Sequence, residues 1–175
     1  RGNEVSVEVI VYKGKVHILA ITDKLTTGAP YFVEMGHSQP SRLPEKDLLK
    51  IRDLTSRAIK AVGIENGPAH VEVMQTKQGP KMIELGARMG GDCITTHLVP
   101  LSTGIDMVKA TIDIALGIEP DIIPKFSKGS AIRFFKVPCG VIESIEGVES
   151  SRKTEGIKEI ILNKKVGDMV SEIHS

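Results

Sequence analysis

The stretch His70-Val71-Glu72-Val73-Met74-Gln75-Thr76-Lys77-Gln78-Gly79-Pro80-Lys81-Met82-Ile83-Glu84-Leu85 decides how this chain folds. Its two ends, 70–74 and 82–85, read as half-buried strands whose side chains alternate between two faces. A three-residue loop, Lys77-Gln78-Gly79, with glycine in the left-handed position, joins them as a hairpin. That register sets Thr76 opposite Pro80, Met74 opposite Met82 and Glu72 opposite Glu84. Directly opposed residues on one face have Cβ atoms about 5 Å apart, and like charges there are destabilising. A divalent cation between the two acids is the simplest compensation. The plainer alternative is a pair of surface glutamates on a solvated sheet face.

The residues after Glu84 favour the cation. Leu85-Gly86-Ala87-Arg88-Met89-Gly90-Gly91-Asp92 leaves the strand as a glycine-rich loop with one fixed positive charge. Magnesium takes a few carboxylate oxygens together with phosphate oxygens. Arginine offers a planar donor fork suited to phosphate or carboxylate. Glycines let backbone amides approach an anion closely. Together these residues describe a metal–phosphate site.

With those residues in view, the chain resembles the metal-binding half of the ATP-grasp superfamily. Val71-Glu72-Val73 and Ile83-Glu84-Leu85-Gly86-Ala87-Arg88-Met89-Gly90-Gly91 carry the likeness. The stretch from His97 to Val108 is similar to the matching part of biotin carboxylase and its relatives. Gly2-Asn3-Glu4-Val5-Ser6-Val7-Glu8 resembles the strand after the adenine-binding hinge. Gly129-Ser130-Ala131-Ile132-Arg133-Phe134-Phe135 and Gly140-Val141-Ile142 look like the C-terminal subdomain of the L-amino-acid ligase branch.

The resemblance implies ATP and Mg2+ (or Mn2+) as cofactors. It makes Glu72 and Glu84 the metal ligands and Arg88 the catalytic group that steadies the phosphate or acyl phosphate. It places Glu8 and Lys24 near the nucleotide and Gly90 and Gly91 along the substrate loop. Glu34 and His37 match the acid and histidine that face the amino substrate in the ligase branch. For Glu8, Lys24 and His37 the alternatives stay open: a solvated strand acid, a surface charge, a loop histidine with an ordinary hydrogen bond. His70 and His97 read as structural. Gly86 departs from the family, where many relatives carry asparagine as a further metal ligand. No glutamate base follows Arg88 in the manner of biotin carboxylase, which counts against bicarbonate chemistry.

The implied activity is ATP-dependent ligation of a carboxylate to an amine through an acyl phosphate, in the style of an L-amino-acid ligase. The alternatives are a biotin-carboxylase-like or carbamoyl-phosphate-synthase-like subunit using bicarbonate, and a non-catalytic nucleotide-binding remnant. A strand begins almost at once and no methionine precedes it. The expected object is therefore a C-terminal fragment of a larger enzyme, inactive alone.

Composition bounds these readings. With 23 Lys plus Arg against 22 Asp plus Glu, the net charge is +1, so no nucleic-acid partner is implied. Two tyrosines and four phenylalanines leave little to stack on bases. Cys93 and Cys139 lack zinc spacing and fit a reducing compartment, with the cytoplasm expected. No apolar run reaches membrane-spanning length. The partners expected are small carboxylate and amine substrates, with no nucleic acid and no membrane; a homodimer is left open.

Outward from the acids, alternation predicts a hairpin of strands 5–12 and 16–22 about Lys13-Gly14, with Val5, Val7, Val9 and Val11 facing Val16, Ile18 and Ala20 across the core. A third strand follows over 31–36. A helix opens at Pro44-Glu45 and stops at Gly63, with Ile51, Leu54, Ala58 and Val62 as its stripe. Another starts near Thr103, capped by Thr103 and Asp106, and buries Ile105, Val108, Ile112 and Ala115. Short strands are expected over 131–136, 140–145 and 157–163. The fold class is α+β: an antiparallel sheet with flanking helices over 1–126, and a small, truncated β-rich subdomain over 127–175.

Overall fold

A computed structural model describes residues 2–171. Strands β1 (Gly2–Tyr12) and β2 (Lys15–Thr26) form the first hairpin. Its turn residues Lys13 and Gly14 both have positive φ, 51° and 72°, as a two-residue turn that follows strand twist requires. β3 (Glu34–Gln39), helix α1 (Glu45–Ala61), β4 (Gly67–Thr76) and β5 (Gly79–Gly86) follow. A π-helical turn (Ile94–Leu98) then leads into α2 (Val99–Thr103) and α3 (Met107–Ala115), and β6 (Ser130–Arg133) closes the sheet. The strand order is β5-β4-β1-β2-β3-β6 and every pairing is antiparallel. The α+β sheet with flanking helices is as expected.

The sheet has two differently used faces. Val5, Val7, Val9 and Val11 of β1 join Val71 and Val73 of β4 and Ile51 and Ile59 of α1 in one core. On the other face, Ile10 and Ala20 pack with Val99, Ile105, Met107, Ala110 and Ile114. Burying each such aliphatic side chain is worth about 1.5–3 kcal/mol. Alternation along β1 places Glu4, Ser6 and Glu8 on this second face.

Several expectations need correction. Ala20 was expected in the valine core, but the β1–β2 register shifts between Glu8 and Val9, so Val7 pairs with Ile21 and Glu8 with Ala20. Ile21 therefore enters the valine core. β3 starts at Glu34 rather than 31. In α1 the buried stripe is Ile51, Thr55 and Ile59, and Val62 lies past the last turn, 59% exposed. The second helix begins at Met107, with Asp106 Oδ1 accepting from Lys109 N at 2.8 Å. Thr103 instead bonds back to Val99 O at 2.7 Å inside α2. The later start turns Met107, Ala110 and Ile114 inward and leaves Ile112 exposed.

The decisive hairpin also closes differently. Thr76 pairs with Gly79, so the loop is the two residues Lys77-Gln78. Thr76 Oγ1 donates to Gly79 O at 2.7 Å and accepts from Gln78 N at 3.1 Å, which braces this tight turn. The ladder then shifts by one residue between Glu72 and Val73, and Ile83 is the extra residue on β5. Glu72 still meets Glu84. The bulge lets Met82 and Leu85, three apart, both pack on the valine core, which strict alternation forbids.

Contacts divide the chain into two units, one of 2–27 with 34–134 and one of 28–33 with 135–171. Ser130–Arg133, expected in the second subdomain, is the edge strand of the first unit. The second unit contains β7 (Gly140–Val141) paired with β8 (Met169–Val170) and a helical turn, α4 (Val148–Arg152). The strand expected over 140–145 shrinks to two residues, and 157–163 joins no ladder among the described residues. Ile157, Ile161 and Leu162 stay exposed there, without the buried face that fixes a strand's register.

Candidate active site

The second sheet face gathers the polar residues singled out above. Ser6 pairs with Glu72 and Glu8 with His70 across β1–β4. Glu72 pairs with Glu84 across β4–β5, and Lys24 with His37 across β2–β3. A row of acids and bases therefore crosses five strands. After β5 the glycine loop folds back over the row. A cavity of about 210 Å³ lies between them, lined by Ser6, Glu34, His70, Glu72, Arg88, Gly91, Asp92 and Ile94.

Lys24 lies at the middle of the row. Its ammonium, only 5% exposed, sits 2.7 Å from Glu4, 2.6 Å from Glu34 and 2.8 Å from Glu72. Burial disfavours its charge, but the bonds to Glu34, Glu4 and Glu72 outweigh this and hold its pKa above the usual lysine value. Lys24 is therefore not the lone surface charge of the alternative reading; it orders three carboxylates, two of which line the cavity.

Glu8 is fully buried, which rules out the alternative of a solvated strand acid. Its Oε1 lies 2.8 Å from His70 Nδ1, and its Oε2 has no hydrogen-bond partner among the described residues. His70 Nε2 faces Glu72 Oε1 at 3.6 Å, an ion pair longer than a hydrogen bond. Burial opposes the imidazolium, but Glu72 and Glu8 outweigh it and raise its pKa to about 9. His70 beside it, with Lys24, lowers the Glu72 pKa to about 2. Reading His70 as merely structural misses this link between a buried acid and a site acid. Its signal in the sequence was position: two residues before Glu72, it lies on the same strand face.

Gly90 shows why the loop is glycine-rich. A Cβ there would lie 2.7 Å from His70 Nδ1 and 2.8 Å from Glu8 Oε2. At Gly91 nothing stands within 4 Å of such an atom. Arg88 is half-exposed, 3.5 Å from Glu84, and donates to Met89 O at 3.0 Å. Its side chain crosses Gly86, where a Cβ would meet Arg88 Cγ at 3.1 Å.

Glu34 and His37 come together, and Asp92, not singled out in the sequence, joins them. His37 Nε2 lies 3.2 Å from Asp92 Oδ2 and 3.6 Å from Glu34 Oε2. His37 holds the Glu34 carboxyl well below the usual range, against its burial. The bond shared with Glu34 pushes the Asp92 carboxyl up. Glu84 does not line the cavity, and its side chain is 60% exposed.

A family model described as the ATP-grasp domain matches residues 1–96. The chain belongs to the ATP-grasp family. Over 119 residues it is 28% identical to carnosine synthase 1 of Mus musculus, covering 68% of this chain and 14% of that protein. Over 129 residues it is 27% identical to an L-arginine-specific L-amino acid ligase of Bacillus subtilis, covering 72% and 31%. The solved structure of an L-amino acid ligase from Bacillus licheniformis superposes with a TM-score of 0.86 at 28% identity, over 99% of this chain and 44% of that one. This ATP-grasp chain therefore spans less than a third of these curated relatives.

Proposed function

We propose that this ATP-grasp chain is the metal-binding and amine-binding part of an ATP-dependent carboxylate–amine ligase that forms an amide bond between small molecules. The observation that carries the reading is the pairing of Glu72 with Glu84 beside a cavity that Arg88 and Gly91 line. A relative named as an L-arginine-specific L-amino acid ligase and the superposed structure of an L-amino acid ligase support it.

The donor set fits Mg2+ with a nucleotide: two carboxylates on adjacent strands, a guanidinium and a glycine loop. Glu72 Oε1 is occupied by Lys24, so Oε2 and the Glu84 carboxylate would hold the ion. The magnesium nucleotide supplies a γ-phosphoryl group that activates the substrate carboxylate. This chain's residues position and neutralise, which is most of what phosphoryl transfer asks of a protein. The Arg88 fork faces phosphoryl oxygens and screens their charge. The Glu8–His70 pair orients Glu72. Glu34 and His37 receive the amine, whose attack on the acyl phosphate expels phosphate.

The test is to supply the full-length protein with ATP, Mg2+ and a panel of amino-acid pairs, and to assay ADP and dipeptide. Stoichiometric formation of both, abolished by Glu84→Gln, is expected. Absence of product across the panel would remove the ligase reading.

A further inference from the structure

The Glu34–His37–Asp92 trio carries more than amine recognition requires. One ligating atom from each residue lies within 4.8 Å of the other two. The two edges from His37 Nε2, 3.2 and 3.6 Å, bracket the separation of two ligands on a tetrahedral ion with bonds of about 2.0–2.1 Å, which is about 3.4 Å. Both edges that meet at His37 are thus already spaced for a first-row metal.

Two independent observations point the same way. The His37 side chain is fully buried, and among the described residues its Nδ1 has no hydrogen-bond partner, while Nε2 faces both carboxylates. Phe134 meets the ring edge-on at 6.2 Å and helps fix its plane. Glu34 is divided: Oε1 takes Lys24 at 2.6 Å, while Oε2 faces the trio. Asp92, with its side chain 42% exposed, leaves the trio open to solvent on one side. Two carboxylates crowd the same imidazole nitrogen, an arrangement that a dication relieves.

We propose that Glu34, His37 and Asp92 form a binding site for a transition-metal dication such as Zn2+ or Co2+, distinct from the Glu72–Glu84 pair. The imidazole selects the metal: magnesium prefers oxygen ligands, whereas imidazole suits zinc and its neighbours. Three protein ligands leave a fourth position open. Since the proposed function places the amine on Glu34 and His37, metal and amine exclude one another; that consequence alone rests on the ligase reading.

The experiment is a titration of the intact protein with Co2+ alone, without nucleotide or amino acid, followed by the visible d–d absorption of the bound ion. One saturable equivalent, displaced by Zn2+, is expected. Outer-shell partners alone are worth about 10- to 100-fold in affinity, so His37→Ala and Asp92→Asn should each weaken binding by about tenfold or more, while Asp53→Asn, an exposed acid on α1, binds as wild type. Circular dichroism checks that each variant is folded, and Asp92→Asn, a change at a partly exposed position, keeps the test alive should His37→Ala unfold. Absence of a saturable band, or binding unchanged in Asp92→Asn, would overturn the proposal. Because no ligation is assayed, failure of the ligase reading leaves this result untouched.

Discussion

At the scale of single residues, packing and charge make separable demands on the glycine loop. Gly90 presses against Glu8 and His70, whereas Gly91 faces open space. Gly90→Ala should therefore destabilise by roughly 1–3 kcal/mol, as overpacking does, and Gly91→Ala should stay within about 0.5 kcal/mol. Chemical denaturation of both variants checks this, and equal losses would contradict it. His70 offers a pH test in metal-free buffer. Its ring should titrate by NMR with a midpoint near the value of about 9, and Glu8→Gln should lower it. A raised histidine pKa favours the folded state fully below the unfolded value of 6.5, and that contribution disappears as pH rises through about 9. A midpoint at 6.5 would show that Glu8 and Glu72 do not hold the proton.

Among elements, legibility followed periodicity. The first hairpin could be read because four valines alternate and Lys13-Gly14 fits only one tight turn. The acid hairpin was read correctly at Glu72 and Glu84 but wrongly at its loop. Met82 and Leu85 are spaced three apart, a break in period two that marks the bulge. The second helix was misread because Thr103 and Asp106 both resemble caps, and only the backbone decides between them. Asp106→Ala should cost α3 about 1 kcal/mol, seen as a lower denaturation midpoint, while Thr103→Ala leaves that helix start intact. Asp92 escaped notice because no strand period connects it to Glu34 and His37. It reaches them through a loop with positive φ at Asp92 and Cys93, 49° and 60°, which no spacing rule foretells.

For the whole molecule, near-neutral net charge conceals an uneven distribution. Glu4, Glu8, Glu34, Glu72, Glu84 and Asp92 gather on one sheet face around Lys24, Arg88, His37 and His70. Compaction assembles this excess of acid, so ligands that neutralise it should stabilise the fold as a unit. Binding only the native state at 100 times Kd adds about 2.7 kcal/mol. Thermal melts with Mg2+ and a non-hydrolysable ATP analogue should show a rise in Tm in the full-length protein. Glu72→Gln together with Glu84→Gln should erase it. An unchanged rise in that double variant would place the nucleotide's metal elsewhere.

The one-residue insertion at Ile83 has a further consequence for how such sequences can diverge. A tight two-residue turn plus one surplus residue gives the same acid-to-acid match as a wider three-residue turn with a regular ladder. Two single-step changes of opposite sense thus cancel by the time the chain reaches Glu84. Descendants can trade one solution for the other, lengthening the tip while trimming the strand, without parting the carboxylates. An alignment without gaps across this tip still superposes both acids, and misplaces by one position only the residues between the turn and Glu84.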